Sequence, residues 1–137
     1  MPAEIRDNYI PEKFIDPTQV GSIMNAASLI VSRAGANTVS EILFFEKPAL
    51  LIPLPVSQKN EQFKNAKFLE DAGLGSVLQQ KELTGKKLLQ TIESMLHNIE
   101  KYKINKNDFG NQQISDAAQN IVNIINEVYK SKKKKTS

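Results

Sequence analysis

The residues best suited to bind a ligand lie at 32–41, which read SRAGANTVSE. Ala34, Gly35 and Ala36 are small, so the main chain of this turn can approach a ligand closely. If a helix begins here, its first N–H groups point at the ligand with the positive end of the helix dipole behind them, which suits a phosphate. The stretch has neither the complete dinucleotide fingerprint nor a Walker A lysine. Taken alone, the pattern predicts only an anion-binding turn.

Two side-chain features of this stretch have alternative roles. Arg33 can pair with a phosphate, or it can hold the turn through a hydrogen bond to a carbonyl group. We favour the second role, because helix amides bind an anion without desolvating an arginine. Thr38 and Glu41 have the spacing of a capping box, in which both side chains accept hydrogen bonds from free N–H groups at a helix start. From spacing alone, capping is the favoured role of Glu41.

The flanking residues predict the elements that position this turn. An apolar run at 29–31 precedes it, apolar residues at helical spacing follow it, and a second apolar run at 49–52 ends at Pro53. This order is typical of a βαβ unit with parallel strands, where ligands bind at the carboxyl ends. We therefore expect an α/β fold, a Rossmann-like parallel sheet with flanking helices. Residues 8–10 and 13–15 are ambiguous in pattern, and we expect each to form a short strand at most. The other predicted elements are a strand at 75–78, a helix at 18–27, a helix that ends at Gly73, a helix after Thr84 and a helix at 114–129.

Composition restricts the class of protein. A chain of 137 residues allows one domain. The absence of cysteine excludes a disulfide framework and thiolate chemistry, and a single histidine argues against a histidine-based metal site. The longest apolar stretch, near 49–56, is interrupted by prolines and is much shorter than the ~20 residues of a membrane span. We expect a cytoplasmic protein with at most peripheral contact with the inner face of the membrane.

Basic residues are concentrated at the carboxyl end. Lys130 and the lysines at 132–135 have no acidic residue among them. We expect a domain at 1–130 followed by a solvated, disordered basic tail at 131–137. The alternative role of the tail is attraction to anionic lipid headgroups. Nucleic-acid binding is not expected, because no aromatic residue or glycine interrupts the lysines.

Three longer motifs occur in order: SRAGANTVSE at 32–41, KPALLIPLP at 47–55 and NEQFKNAKFLEDAG at 60–73. Together they resemble the carboxyl-terminal, donor-binding half of the MurG-like glycosyltransferases, which are GT-B enzymes of glycosyltransferase family 28. These enzymes transfer N-acetylglucosamine from UDP to a lipid-linked muramyl-peptide acceptor in peptidoglycan synthesis. The motifs are also similar to the split enzymes of the dolichol pathway, in which the donor-binding half is a separate chain. The resemblance implies UDP-N-acetylglucosamine (UDP-GlcNAc) as the donor, and we expect neither a cofactor nor a metal.

The resemblance also implies roles in nucleotide binding. Ile15, at the end of a strand, is expected against the uracil ring; an ordinary core position is its equally weighted alternative. The N–H groups of Ala36, Asn37 and Thr38, with the Thr38 hydroxyl, are expected to face the diphosphate. Glu41 is expected to accept hydrogen bonds from both ribose hydroxyls, which reverses the preference for capping.

The start of the helix after the second strand is expected to contact the donor sugar. Gln62 matches the family pattern and is expected at the N-acetylglucosamine ring, with Glu61 and Asn65 beside it. Glu61 departs from the amide or imidazole common at its place, which leaves the identity of the sugar open. The alternative for these residues is an ordinary polar first turn, in which Glu61 also favours the helix dipole.

The resemblance places the acceptor site and the catalytic base in a domain that this sequence does not contain. We therefore expect an incomplete GT-B donor domain, inactive alone, that needs a partner chain or an amino-terminal domain; no catalytic residue is assigned. Because the first strands of a doubly wound sheet are central, their absence would leave 14–15 and 29–31 beside a gap. The alternatives are a non-catalytic sugar-nucleotide-binding module and an inactive structural fragment.

Overall fold

The computed structural model describes residues 8–56 and 58–104. Their centre is a 3-stranded parallel sheet in the order β1-β2-β3. Because the strands are parallel, their carboxyl ends lie at one edge of the sheet. The strands are β1 (Ile30–Ser32), β2 (Ala49–Leu51) and β3 (Gly75–Val77); the helices are α1 (Pro17–Ala26), α2 (Ala36–Phe44), α3 (Glu61–Asp71) and α4 (Gly85–His97); and short 3-10 helices lie at Gln58–Asn60, Gln80–Glu82 and Ile99–Lys101.

β2 is buried on both faces. On one face, Ala49 and Leu51 pack with Ile42 of α2 and Leu69 of α3. On the other face, Leu50 belongs to a second hydrophobic cluster. That cluster includes Ile52, Leu78 and Met95 of α4. A strand covered on both faces is a continuous apolar run rather than an alternating one, which is why residues 49–52 predict this strand from sequence. The α/β fold with a parallel sheet and flanking helices is confirmed.

The strands expected at 8–10 and 13–15 are wrong. Residues 8–16 have no regular secondary structure, and the Phe14 side chain is 76% exposed. A strand needs a hydrogen-bonding neighbour, and residues 8–16 pair with no strand of the described sheet. The chain then enters α1 after Asp16. Asp16 fixes that start: its Oδ1 accepts hydrogen bonds from the Thr18 N–H (2.8 Å) and the Thr18 hydroxyl (2.6 Å). Asp16 is thus the N-cap residue of α1.

The other predicted elements agree with the structure within one or two residues where it describes them. α3 ends with Gly73 at φ 85°, a left-handed conformation that favours glycine. α4 begins after Thr84, whose side chain accepts a hydrogen bond from the Lys87 N–H at 3.1 Å. The helix predicted at 114–129 and the tail at 131–137 lie outside the described residues.

We predict that the Asp16 cap makes the stability of the fold depend on pH. The hydrogen bonds from Thr18 lower the pKa of Asp16 below its ordinary value. The stabilisation is therefore present above the unfolded-state pKa and is lost as the pH falls through the lower folded-state pKa. Asp16→Ala should lower the melting temperature at pH 7, and the difference from the unsubstituted protein should disappear in acid. Asp16→Asn, which keeps an acceptor that does not titrate, should retain the cap at both pH values.

Candidate functional site

The turn after β1 enters α2 without a side-chain cap. Gly35 is the N-cap residue, with φ −65° and ψ 149°, and no side chain bonds to the helix start. Val39 donates its N–H to the Gly35 carbonyl at 3.0 Å, so the N–H groups of Ala36, Asn37 and Thr38 precede the first intrahelical hydrogen bond. A Cβ placed on Gly35 would meet nothing within 4 Å. The start of α2 therefore has both the donors and the open space that an anion requires.

The capping box considered for Thr38 and Glu41 is wrong. α2 begins at Ala36, so Thr38 lies inside the first turn instead of at the N-cap position. Glu41 lies in the second turn with an exposed side chain. Among residues 8–56 and 58–104, no hydrogen bond or ion pair holds its carboxylate. The Glu41 carboxylate is thus available to hydroxyl donors of a ligand.

Arg33 makes the hydrogen bond to a carbonyl that the sequence analysis favours. Its Nη1 donates to the Ile52 carbonyl at 3.0 Å, at the carboxyl end of β2. The same nitrogen donates to Gln80 Oε1 at 2.8 Å, beyond the end of β3. Arg33 thus connects the ends of neighbouring strands in the absence of a ligand.

Two polar residues of α3 also bond to loops of the site. Asn65 donates its side-chain N–H to the Ala34 carbonyl at 3.1 Å, which holds the turn that precedes α2. Gln62 Oε1 accepts a hydrogen bond from the Leu54 N–H at 3.0 Å, which holds the loop after β2. These contacts give both residues a role in loop structure that the sequence analysis did not assign.

Glu61 and Ile15 both lie at the surface. Glu61 is the first residue of α3 and is exposed, and α3 has no side-chain cap. The two residues before it, Lys59 and Asn60, both have positive φ, 50° and 60°. Ile15 is 38% exposed and lies in irregular chain, so its expected place at the end of a strand is wrong.

A cleft of about 260 Å³ lies at the carboxyl ends of β2 and β3. Residues after β3 contribute to it although the sequence analysis assigned them no role. Polar residues that follow a strand look like ordinary solvated loop residues, so no local signal identifies them. The lining residues are Pro53, Leu54, Pro55, Asn60, Phe63, Gln79, Gln80 and Lys81.

The polar groups of the site lie at the surface. In the part of the chain that the structure describes, no polar or charged residue is buried. No group of His, Cys, Asp or Glu in that part is arranged to hold a metal ion. None of its helices is long and apolar enough to cross a membrane. Because the polar groups lie at the surface, a ligand at this edge of the sheet would bind in an open cleft, through main-chain N–H groups and surface side chains.

Comparisons with known proteins identify the family. The profile of the glycosyltransferase family 28 C-terminal domain matches residues 4–121. The UDP-N-acetylglucosamine–N-acetylmuramyl-(pentapeptide) pyrophosphoryl-undecaprenol N-acetylglucosamine transferase of Pelagibacter ubique is 36% identical over 112 residues, which are 79% of this chain and 32% of that protein. The enzyme of the same name from Clostridium kluyveri is 36% identical over 126 residues, which are 91% of this chain and 34% of that protein.

A solved structure gives the same assignment. The crystal structure of MurG from Acinetobacter baumannii matches with a TM-score of 0.55 and 35% sequence identity, over 61% of this chain and 23% of that one. The present chain thus spans about a third of the length of the curated relatives that it matches.

We predict that Asn65 stabilises the turn before α2. Asn65→Ala removes the side-chain donor to the carbonyl of Ala34, a fully buried residue. The free energy of unfolding in urea should fall by about 1–2 kcal/mol, the usual effect of leaving such an acceptor without its donor. Asn25→Ala, at an exposed position of α1, is the matched control and should change stability little. Equal effects of the two substitutions would contradict the role assigned to Asn65.

Proposed function

Because this chain belongs to the glycosyltransferase family 28 C-terminal domain family, we propose that it binds UDP-GlcNAc as the donor site of a transferase. The reaction moves N-acetylglucosamine to a lipid-linked peptidoglycan intermediate, as the names of the curated relatives state for those proteins. The observation that carries the proposal is the uncapped start of α2 at the carboxyl end of β1. The Glu41 carboxylate lies in the next turn of α2, and no hydrogen bond or ion pair from a described residue holds it.

The nucleotide lies along the first two turns of α2 in this proposal. The N–H groups of Ala36, Asn37 and Thr38 donate to the diphosphate, and the positive end of the helix dipole stabilises its charge. The Thr38 hydroxyl supplies a further donor. The Glu41 carboxylate accepts hydrogen bonds from both ribose hydroxyls, a pairing of one acceptor group with two neighbouring donors. Ile15, partly exposed ahead of α1, lies against the uracil ring.

The donor sugar extends from the diphosphate towards the start of α3. Glu61 and Gln62 lie there and face the sugar hydroxyls, next to the cleft at the ends of β2 and β3. Asn65 acts on the site through the Ala34 carbonyl, which it holds at 3.1 Å. Arg33 Nη1 donates hydrogen bonds at the ends of the strands, so we assign Arg33 the role of maintaining the conformation of the diphosphate turn.

The edges of the sheet differ in a way that suggests where the rest of the enzyme binds. At the β3 edge, the Val77 N–H donates to Glu70 Oε1 at 3.1 Å. At the β1 edge, the main-chain groups of Ile30 and Ser32 form the hydrogen bonds between β1 and the β2 segment. The main-chain groups of Val31, which lies between them, therefore face away from β2. No described residue pairs with that edge, and the Val31 side chain is 43% exposed.

We assign the β1 edge to a strand from the remainder of the transferase, supplied by a partner chain or by an amino-terminal domain. A parallel strand there would end beside the start of α2, so the loop that follows it would complete the diphosphate site. The acceptor site and the catalytic base belong to the same remainder. Because the acceptor is a membrane lipid, we place the reaction at the cytoplasmic face of the membrane, with peripheral contact.

The role of Glu41 is tested by calorimetric titration with UDP. Glu41→Ala should weaken binding by roughly a hundredfold, because two hydrogen bonds to a charged acceptor are lost. UDP without its two ribose hydroxyls should bind the unsubstituted chain equally weakly and should lose nothing further with Glu41→Ala. Glu93→Ala, an exposed acid on α4, is the control. Unchanged UDP affinity in Glu41→Ala would contradict the assignment to ribose, and a chain that does not bind UDP would refute the donor site.

The need for a second component is tested by a transferase assay with lipid-linked acceptor. We expect the chain alone to bind UDP-GlcNAc without turnover, because no catalytic base is assigned to it. Addition of the amino-terminal two thirds of a curated relative should restore transfer. Turnover by the chain alone would contradict the proposal, whereas UDP binding without turnover under either condition would favour a non-catalytic module.

A further inference from the structure

Gln80 makes a long-range contact that connects the cleft to the turn before α2. Its Oε1 accepts a hydrogen bond from Arg33 Nη1 at 2.8 Å, across 47 positions of sequence. Arg33 follows β1, the Ile52 carbonyl that shares this nitrogen follows β2, and Gln80 follows β3. One guanidinium group therefore links the carboxyl ends of all the strands in the described sheet.

The position of Arg33 affects the proposed diphosphate site directly. Arg33 precedes Ala34, whose carbonyl Asn65 holds, and α2 begins with Ala36. A shift of the Arg33 side chain away from the strand ends would move the main chain of this short turn. The N–H groups at the start of α2 would then change direction relative to β2.

The chemistry of Gln80 also suits a site for an anion. Its amide oxygen orients the guanidinium without neutralising it, whereas a carboxylate would pair with the positive charge. Arg33 thus has a neutral partner beside a turn that the proposed function assigns to a diphosphate. Among the described residues, no carboxylate lies within ion-pair distance of Arg33.

We propose that Gln80 is a positioning residue of the diphosphate site and that it acts through Arg33. The inference rests on the proposed function, because it assumes that UDP binds at the start of α2. Gln80 fixes the guanidinium, the guanidinium fixes the turn, and the turn directs the N–H groups of Ala36, Asn37 and Thr38.

A double-mutant cycle tests the proposal, with UDP affinity measured by calorimetry. Gln80→Leu should weaken UDP binding by about fivefold, which is less than the loss of a direct hydrogen bond to a charged group, because Gln80 acts through Arg33. Arg33→Met should weaken it at least as much. The double variant should bind no more weakly than Arg33→Met, because residues that act through one contact are not additive. Uridine, which has no diphosphate, should bind all variants equally.

Gln79→Leu is the matched control. Gln79 is the same residue type and lines the same cleft, but its side chain has no hydrogen bond to Arg33. Its UDP affinity should match that of the unsubstituted chain. As a second readout, the amide resonances of residues 36–38 should shift in ligand-free Gln80→Leu and stay in place in Gln79→Leu. Gln80→Asn, which is polar but too short to reach Arg33, replaces Gln80→Leu if the apolar substitution impairs folding.

The outcomes separate this inference from the proposed function. Additive losses in the cycle, unchanged UDP affinity in Gln80→Leu, or equal losses for uridine and UDP would each overturn the role of Gln80 alone. Equal effects of Gln79→Leu and Gln80→Leu would instead indicate that the cleft contacts the ligand directly, which also overturns positioning through Arg33. An unsubstituted chain that does not bind UDP would remove the proposed function and this inference with it.

Discussion

The parallel pairing of β2 with both of its neighbours is the constraint on which the candidate site depends. β2 hydrogen-bonds to β1 on one side and to β3 on the other, and its side chains are buried on both faces. Because all three strands run in the same direction, the segments that follow them meet at one edge of the sheet. The turn before α2, the loop after β2 and the residues after β3 therefore lie together through backbone pairing.

Polar side chains then hold these segments to one another. Arg33, Gln62 and Asn65 each bond to a main-chain group of another segment. These three residues, which family resemblance assigns to a ligand, thus have structural partners when no ligand is present. Loops that are already held in place lose less conformational freedom when a ligand binds, which favours affinity.

The sequence predicts the parts of the fold that depend on local pattern or on burial. The run at 49–52 is apolar because β2 is covered on both faces, and Gly73 indicates the end of α3 because it adopts positive φ. The strands expected at 8–10 and 13–15 are wrong, because a strand also requires a neighbour, which no local pattern reveals. The capping box is wrong because the extended Gly35, and not Thr38, precedes the first helical residue.

In the candidate site, too, some features are predicted from the sequence and others depend on tertiary structure. The small-residue turn before a helix is predicted from residues that are adjacent in sequence, and the hydrogen bond from Arg33 to a carbonyl is predicted from the cost of desolvating an arginine. The contact between Arg33 and Gln80 does not, because only the completed sheet brings residues 47 positions apart into contact. The roles of Gln62 and Asn65 in holding loops are likewise set by tertiary structure, since either residue alone looks like part of an ordinary polar helix turn.

The uncapped start of α2 also affects the thermodynamics of the whole chain. Because glycine is a tolerated N-cap residue, α2 lacks only roughly a few tenths of a kcal/mol that the side chain of a serine or aspartate would supply. An anion bound at that place provides the missing acceptors, and any ligand specific for the native state raises the folded fraction by mass action. The stability of the chain would then rise with the concentration of any anionic ligand that binds at the start of α2.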